Sequence, residues 1–302
     1  GNLWGALIAL SIAMLVCMVI AMFIPEQPLE EEPAPFDWQP IIRLFLMTAV
    51  FTAIILGLRE CVKAGTKWAS NFPTTSANIL TGLIGLMGMS ITIGLGVWLC
   101  ILISMGERVK EKPSFTWWVI NRLAFLVGAN NIASFVVYFL QEKFTHLTGK
   151  TAAGPAARVI MFVGVFILVT ALPSGWLSDR FGRKPILVVS ALMAAVGALI
   201  IVIASGMEVM YVGGCLIGGG AGLFYTANWA LGTDIVPRLE AGRYLGISNL
   251  AGAGAGAVGA YIGGPIGDTM GYTLLMAIYG VLFLLSLLAL FGIRETRTGP
   301  KS

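Results

Sequence analysis

The sequence predicts an all-α fold, a polytopic transmembrane helical bundle, and three observations carry that expectation. Of 302 residues, 57% are hydrophobic and 11% charged, against roughly 25% charged in soluble domains, and the mean hydropathy is +0.88. The charges are also unevenly placed: stretches 159–178, 186–207, 209–233, 244–267 and 269–293 contain none, and each reaches the ~20 residues that cross a ~30 Å hydrocarbon core as a helix. Glycine, proline and basic residues gather in two of the breaks between those stretches, 179–185 and 234–243, as turns at a membrane surface require.

Nine spans follow in order: 3–24, 40–58, 78–105, 118–141, 157–178, 186–205, 209–233, 244–267 and 271–293. The first runs to Pro25 with no charge before Glu26; opening inside an apolar stretch without a basic leader, the chain reads as a segment of a longer protein and not as a signal peptide. The second lies between Arg43 and Arg59, fifteen residues apart, so both arginines must snorkel or the helix must lie partly in the interface. The third belongs to a charge-free run from Trp68 to Gly106, with Asn71–Asn78 and its Pro73 assigned to a polar loop before it. Trp117 and Trp118 stand at the edge of the fourth as an interfacial anchor, and Arg122 marks where that span begins. The last five are set by the charge-free stretches themselves.

Orientation follows from the basic residues around the last six spans. Twelve fall on one side (Arg108, Lys110, Lys112, Arg122, Arg180, Arg183, Lys184, Arg238, Arg243, Arg294, Arg297, Lys301) and three on the other (Lys143, Lys150, Arg158), so the first side is cytoplasmic. Alternation then puts the acidic, proline-rich segment 25–40 inside and the loop Arg59–Lys67 outside. The charged segment Glu107–Pro113 reads as a linker, giving three parts: 1–38, a helix and an acidic loop; 39–115, two further helices and the linker; 116–302, a six-helix unit.

Several functions are excluded or unsupported. A net charge of +4 without a basic run argues against nucleic-acid binding. Cys17, Cys100 and Cys215 lie in apolar stretches and Cys61 in a short polar loop, so neither a disulfide framework nor a metal site is expected. Gly254–Gly259 matches a dinucleotide fingerprint but sits mid-span with no strand before it, and Gly149-Lys150-Thr151 lacks the upstream glycine of a phosphate loop, Phe144 standing there. No cofactor and no catalytic constellation is expected, hence no enzyme. The four-residue ladders Gly214/Gly218/Gly222 and Gly252/Gly256 with Gly259/Gly263/Gly267 suit close helix packing.

Between the fifth and sixth spans the chain reads Gly175-Trp176-Leu177-Ser178-Asp179-Arg180-Phe181-Gly182-Arg183-Lys184-Pro185. It resembles the signature loop of the major facilitator superfamily, G-x-L-x-D-R-x-G-R-K-x, at every specified position, between the second and third helices of a six-helix half. The next cytoplasmic turn, Asp234 to Pro237 with Glu240, Gly242 and Arg243, then Asn249, is similar to that of the sugar:cation symporter branch (glycoside-pentoside-hexuronide and sucrose-type carriers). So is Asn121-Arg122 with Asn130-Asn131. The resemblance implies that 116–302 is a major facilitator-type half, helices seven to twelve of a carrier built from two such halves. The first three spans are then helix six plus two extra helices, or helices four to six. It further implies that Gly175, Asp179, Arg180, Gly182, Arg183, Lys184, Asp234, Glu240 and Arg243 belong to a cytoplasmic gate, in which Asp234 pairs with Arg180 or Arg183.

Polar side chains at membrane depth need a partner or a wet cavity. Asn130, Asn131, Ser134 and Tyr138 share roughly one face of the fourth span, with Gln141 at its outer end, and Tyr225, Asn228 and Trp229 form a second cluster in the seventh. By the resemblance these spans line the central cavity. Amides and phenols beside an indole suit a neutral, hydroxyl-rich solute; interhelical hydrogen bonding is the alternative role for the asparagines. The expected function is secondary active transport of a small solute, a sugar or glycoside, by alternating access with H+ or Na+ coupling, in a monomeric multi-pass protein of the plasma or inner membrane. Partners are that solute, the coupling cation and the lipid bilayer. No acid lies inside the last six charge-free runs, so the coupling group is sought elsewhere. The alternatives are a multidrug or metabolite exporter and a non-transporting scaffold or sensor.

Overall fold

The computed structural model describes residues 3–23, 38–106, 113–237 and 241–294. Apart from a 3-10 turn at Gly149–Ala152, their regular structure is α-helical: α1 Leu3–Met22, α2 Gln39–Ala69, α3 Thr74–Met105, α4 Pro113–Lys143, α5 Ala153–Phe181, α6 Arg183–Ile203, α7 Met207–Ile235, α8 Ala241–Met270 and α9 Tyr272–Leu290. Eight of them, α2 to α9, are long and apolar enough to cross a bilayer, and α1 is an uncharged apolar helix of 20 residues. The chain divides into units Gly1–Gln39 and Pro40–Ser302. In the first, α1 exposes apolar side chains along its length, Trp4, Ile12 and Met18 among them.

Three expectations change. The helix expected over 40–58 continues to Ala69, so Arg59, Glu60, Cys61, Lys63 and Lys67 are helical and not an outer loop. Nothing between Arg59 and Lys67 stops a helix: the first proline is Pro73, Arg59 pairs with Glu60 at 3.1 Å, and the Thr66 hydroxyl bonds back to the Lys63 carbonyl. At 31 residues α2 is about 46 Å long, which carries its charged end beyond the hydrocarbon. The loop expected over Asn71–Asn78 ends at Pro73, where α3 begins. Third, α4 starts at Pro113 and not beside Arg122, which therefore lies nine residues inside the helix and is buried. Removing it from the cytoplasmic count leaves the orientation unaltered. The segments 25–37 and 107–112, Arg238 and Glu240 lie outside the described residues.

Helix α7 organises the second unit. Its glycines turn one edge to α5 and the other to α6. A Cβ on Gly218 would strike the backbone of Val163, and one on Gly222 the Ile167 carbonyl. On the α6 side, a Cβ on Gly220 would stand 2.6 Å from the Ser190 carbonyl, and one on Gly213 2.9 Å from that of Gly197. Backbones this close exclude any side chain, which is how membrane helices gain contact without a hydrophobic driving force between them. Hydroxyls stitch the α5–α7 seam: Thr170 Oγ1 donates to Gly219 O (2.9 Å), Ser174 Oγ to Leu223 O (3.1 Å) and Thr226 Oγ1 back to Ala171 O (3.3 Å).

Helix α4 packs against α8 and α9, and α6 against α9. Phe125 of α4 stacks on Phe224 of α7 at 3.8 Å and meets Phe283 of α9 at 4.9 Å, so one aromatic cluster ties three helices. Helix α3 packs directly against α8, α4 and α9, and Phe51 of α2 fills the space before Gly96 of α3 and Gly254 of α8. Two links are a single residue long: Gly182 (φ 95°) between α5 and α6, and Gly271 (φ 93°) between α8 and α9. Both need the left-handed backbone that glycine adopts without strain.

Replacing Gly218 by Ala should lower stability by about 1–3 kcal/mol through overpacking. Gly164→Ala, on α5 with nothing within 4 Å of the new methyl, should be neutral or slightly stabilising. Thermal unfolding of the two purified variants in one detergent checks the contrast.

Candidate functional site

The two expected polar clusters separate on the structure. Asn131 is buried, and its amide donates to Val127 O (2.9 Å) in its own helix and to Ala255 O (3.1 Å) in α8. Asn130, Ser134 and Tyr138 recur every four residues on a more open side of α4, with Ser134 Oγ donating to Asn130 O. Tyr138 stacks on Tyr272 at 5.3 Å, and Gln141 Nε2 donates to Gly149 O at 3.2 Å, both near the outer end. Tyr225, Asn228 and Trp229 in α7 come together with residues of α4 that the cluster did not include.

That meeting point is built around Arg122 and Asn121. Asn228 is fully buried. Its Oδ1 accepts from Arg122 Nη1 (3.0 Å), its Nδ2 donates to Asn121 Oδ1 (3.2 Å), and its carbonyl accepts from Trp118 Nε1 (2.9 Å). Asn121 Nδ2 donates in turn to Ser286 O of α9 at 2.9 Å. The Arg122 guanidinium lies 4.4 Å from the centre of the Trp229 ring, a cation–π arrangement. Its depth along α4 is about 14 Å from Pro113, and Asn228 is about 10 Å from the same end of α7. The pair thus lies inside the hydrocarbon, toward the cytoplasmic side.

An arginine inside the membrane costs about 3 kcal/mol on insertion scales. A charge-assisted hydrogen bond contributes about 2 kcal/mol and a cation–π contact about 1 kcal/mol, so Asn228 and Trp229 roughly offset the cost. Among the described residues no carboxylate pairs with Arg122. Sequence reading placed Arg122 at a span boundary because a charge next to an apolar run looks like its end. The signal that could have corrected this was the distance from Pro113, the natural first residue of a helix, to Arg122.

At the cytoplasmic end the signature loop makes three attachments. Arg183 pairs with Asp234 at the end of α7 and donates to the Ala230 carbonyl, while Lys184 Nζ donates to Ile293 O after α9. These cations satisfy carbonyls and a carboxylate at helix C-termini, where positive charge is favourable. Gly182 supplies the turn, and a Cβ added to Gly175 would stand 3.9 Å from Thr226. Asp179 is exposed, and Arg180 lies over Trp176 at 5.2 Å and Phe181 at 5.6 Å. The side chain of Arg243 lies outside the described residues, as does Glu240.

The opposite end holds a residue that sequence reading missed. Glu142, at the end of α4, caps α9: it accepts from Tyr272 N–H, from Thr273 N–H at 3.2 Å and from Thr273 Oγ1 at 2.9 Å. An acid at its own helix C-terminus is poorly placed, and that mismatch was the available signal. Tyr272 Oη donates to Asp268 at 2.8 Å. Two hollows lie away from the network: a pocket of about 410 Å3 beside Arg43, Met47, Ser104 and Gly246, and an open groove of about 310 Å3 between α3 and α9, lined by Leu83 and Leu274.

Comparison with known proteins fits this layout. The chain is 32% identical over 190 residues to "Multidrug resistance protein MdtG" of Enterobacter lignolyticus (strain SCF1), covering 62% of this chain and 44% of that protein. It is 33% identical over 190 residues to the protein of the same name from Salmonella typhi, covering 62% and 45%. It is 27% identical over 173 residues to "D-xylose-proton symporter-like 2" of Arabidopsis thaliana, covering 52% and 32%. The chain thus spans less than half the length of these curated relatives. The family model described as Major Facilitator Superfamily matches residues 119–302. With eight apolar helices of spanning length and that match over more than half its residues, this multi-pass membrane chain belongs to the Major Facilitator Superfamily.

Proposed function

We propose that the protein is a secondary active carrier that moves a small hydroxyl-bearing solute, of the sugar or glycoside class, by alternating access coupled to an H+ or Na+ gradient. The observation that carries this reading is the polar and aromatic set where α4 and α7 meet: the half-buried Tyr225 and Trp229 beside the Arg122–Asn228 pair. Hydrogen-bonding groups next to a flat ring are what a polyol needs for orientation and stacking. Asn130, Ser134, Tyr138 and Gln141 extend the lining outward, and Asn131 holds α4 to α8 behind it. Residues 116–302 form the C-terminal half of the carrier, 39–115 two additional helices and linker, and 1–38 a helix with its acidic loop. The carrier works as a monomer in the plasma or inner membrane. One of the relatives carries the words "proton symporter" in its name, which supports cation coupling.

A second reading is export of amphipathic compounds. The name of two relatives, "Multidrug resistance protein", favours it, as does the aromatic row Tyr138, Phe135, Tyr272 and Tyr279, with ring centres 5.3 to 6.4 Å apart. Uptake of a labelled sugar panel into proteoliposomes containing the intact protein separates the two. Saturable accumulation that collapses when the ion gradient is dissipated is expected for the carrier; silence across the panel with outward movement of a cationic dye would establish the exporter.

The Arg183–Asp234 pair serves as the cytoplasmic gate lock, with Gly175, Asp179, Arg180, Gly182, Lys184, Glu240 and Arg243 around it. Asp234→Asn removes the charge and keeps the shape. The variant should lose transport about tenfold, equivalent to about 1.4 kcal/mol, with increased cytoplasmic accessibility in cysteine labelling. Full transport with unchanged labelling on both faces would rule the lock out.

A further inference from the structure

We propose that Arg122 is the recognition site for an anionic oxygen group on the solute, a carboxylate or a phosphate monoester, so that the transported compound is charged. This deepens the carrier reading and rests on it. Of the two faces of the guanidinium fork, Nη1 is taken by Asn228 Oδ1 at 3.0 Å. The opposite edge, Nε with Nη2, carries no hydrogen bond among the described residues, and Nε is a buried donor without a partner. Arg122 itself is 6% exposed, so most of the guanidinium is out of contact with bulk solvent.

A buried donor is normally paired, and a buried cation more so. Here Asn228 and Trp229 hold the guanidinium still on one edge and one face, and the free edge is the pair of parallel N–H groups that grips a carboxylate or phosphate in two places at once. A glycine of α8 faces that edge. A Cβ on Gly252 of α8 would stand 3.9 Å from both Nε and Nη2. Gly252 is only partly buried, and one turn along α8 Gly256 has nothing within 4 Å of where its Cβ would be. The approach from the α8 side is therefore lined by backbone, while Tyr225 stands half-buried beside it in α7. A neutral sugar brings only uncharged acceptors to that edge; the same polyol carrying a carboxylate or phosphate brings a charge-assisted, two-point acceptor.

The test uses the intact protein in lipid nanodiscs and three probes: glucose, glucuronate and glucose 6-phosphate, each followed by equilibrium binding. At least one anion should bind roughly tenfold or more tighter than glucose, and the two anions tell which oxygen group fits. Arg122→Gln should abolish that preference, and Arg122→Lys, which cannot offer two parallel donors, should reduce it. Gly252→Ala retains the arginine and fits without a clash, its methyl lying 3.6 Å from Leu126. It should lower anion binding several-fold, so the proposal remains testable if the arginine variants do not fold. Equal binding of all three probes, absence of anion binding, or an anion preference unchanged in Arg122→Gln or Gly252→Ala overturns the proposal. Gradient-driven glucose uptake unaffected by Arg122→Gln would overturn it while the carrier reading stands. Arg122-dependent anion binding without any accumulation would do the reverse.

Discussion

Helix α7 can touch α5 and α6 at backbone distance only because it presents glycine where any side chain would collide. Gly218 and Gly222 admit α5, and Gly213 and Gly220 admit α6. In a bilayer the solvent outside the bundle is as apolar as the side chains within it, so contact must come from close fit and from hydrogen bonds. The same helix then carries, on its remaining face and end, the groups with chemistry: Tyr225, Asn228, Trp229 and Asp234. Placing α7 at the centre thus fixes where the polar network meets α4 and where Arg183 meets the helix end. Few other elements in the chain have so many neighbours depending on their composition.

The polar network shows how a charge is retained in an apolar setting. Arg122 is held by an amide on one edge and an indole on one face, both neutral, so the positive charge persists instead of being cancelled. Asn228 is held in turn by Asn121, and its backbone by Trp118. Every member of this set sits on α4 or α7, and Ser286 ties it to α9. The site therefore ties together the same three helices as the contact made by Phe125, Phe224 and Phe283.

Much of this was legible in the sequence, and the misses share one cause. The five C-terminal spans were bounded correctly to within a few residues because each long charge-free run is closed by a charged residue of either sign, Arg158, Asp179, Glu208, Asp234, Arg243, Asp268 and Arg294 among them. The signature loop was legible because its spacing is specific, and the structure joins Arg183 to Asp234. What failed was reading charge as boundary. Arg122 looked like the edge of a helix that begins nine residues earlier, and Arg59–Lys67 looked like a loop although it continues α2. Hydropathy reports the cost of placing a residue in lipid, not whether a neighbouring helix will offset that cost, and the partners Asn228 and Trp229 lie more than a hundred positions away. Glu142 was invisible for the same reason: its partners at Tyr272 and Thr273 are distant in sequence.

The single-residue links at Gly182 and Gly271 limit how the bundle can move. With consecutive Cα atoms 3.8 Å apart, one intervening residue leaves α5 and α6 almost no freedom to slide along each other, and the same holds for α8 and α9. One hinge closes at the cytoplasmic end and the other at the outer end. Each pair can therefore splay or tilt about its hinge, but neither can shear by a helical turn. Within these two pairs, relative motion is restricted to rotation about pivots at opposite ends of the bundle.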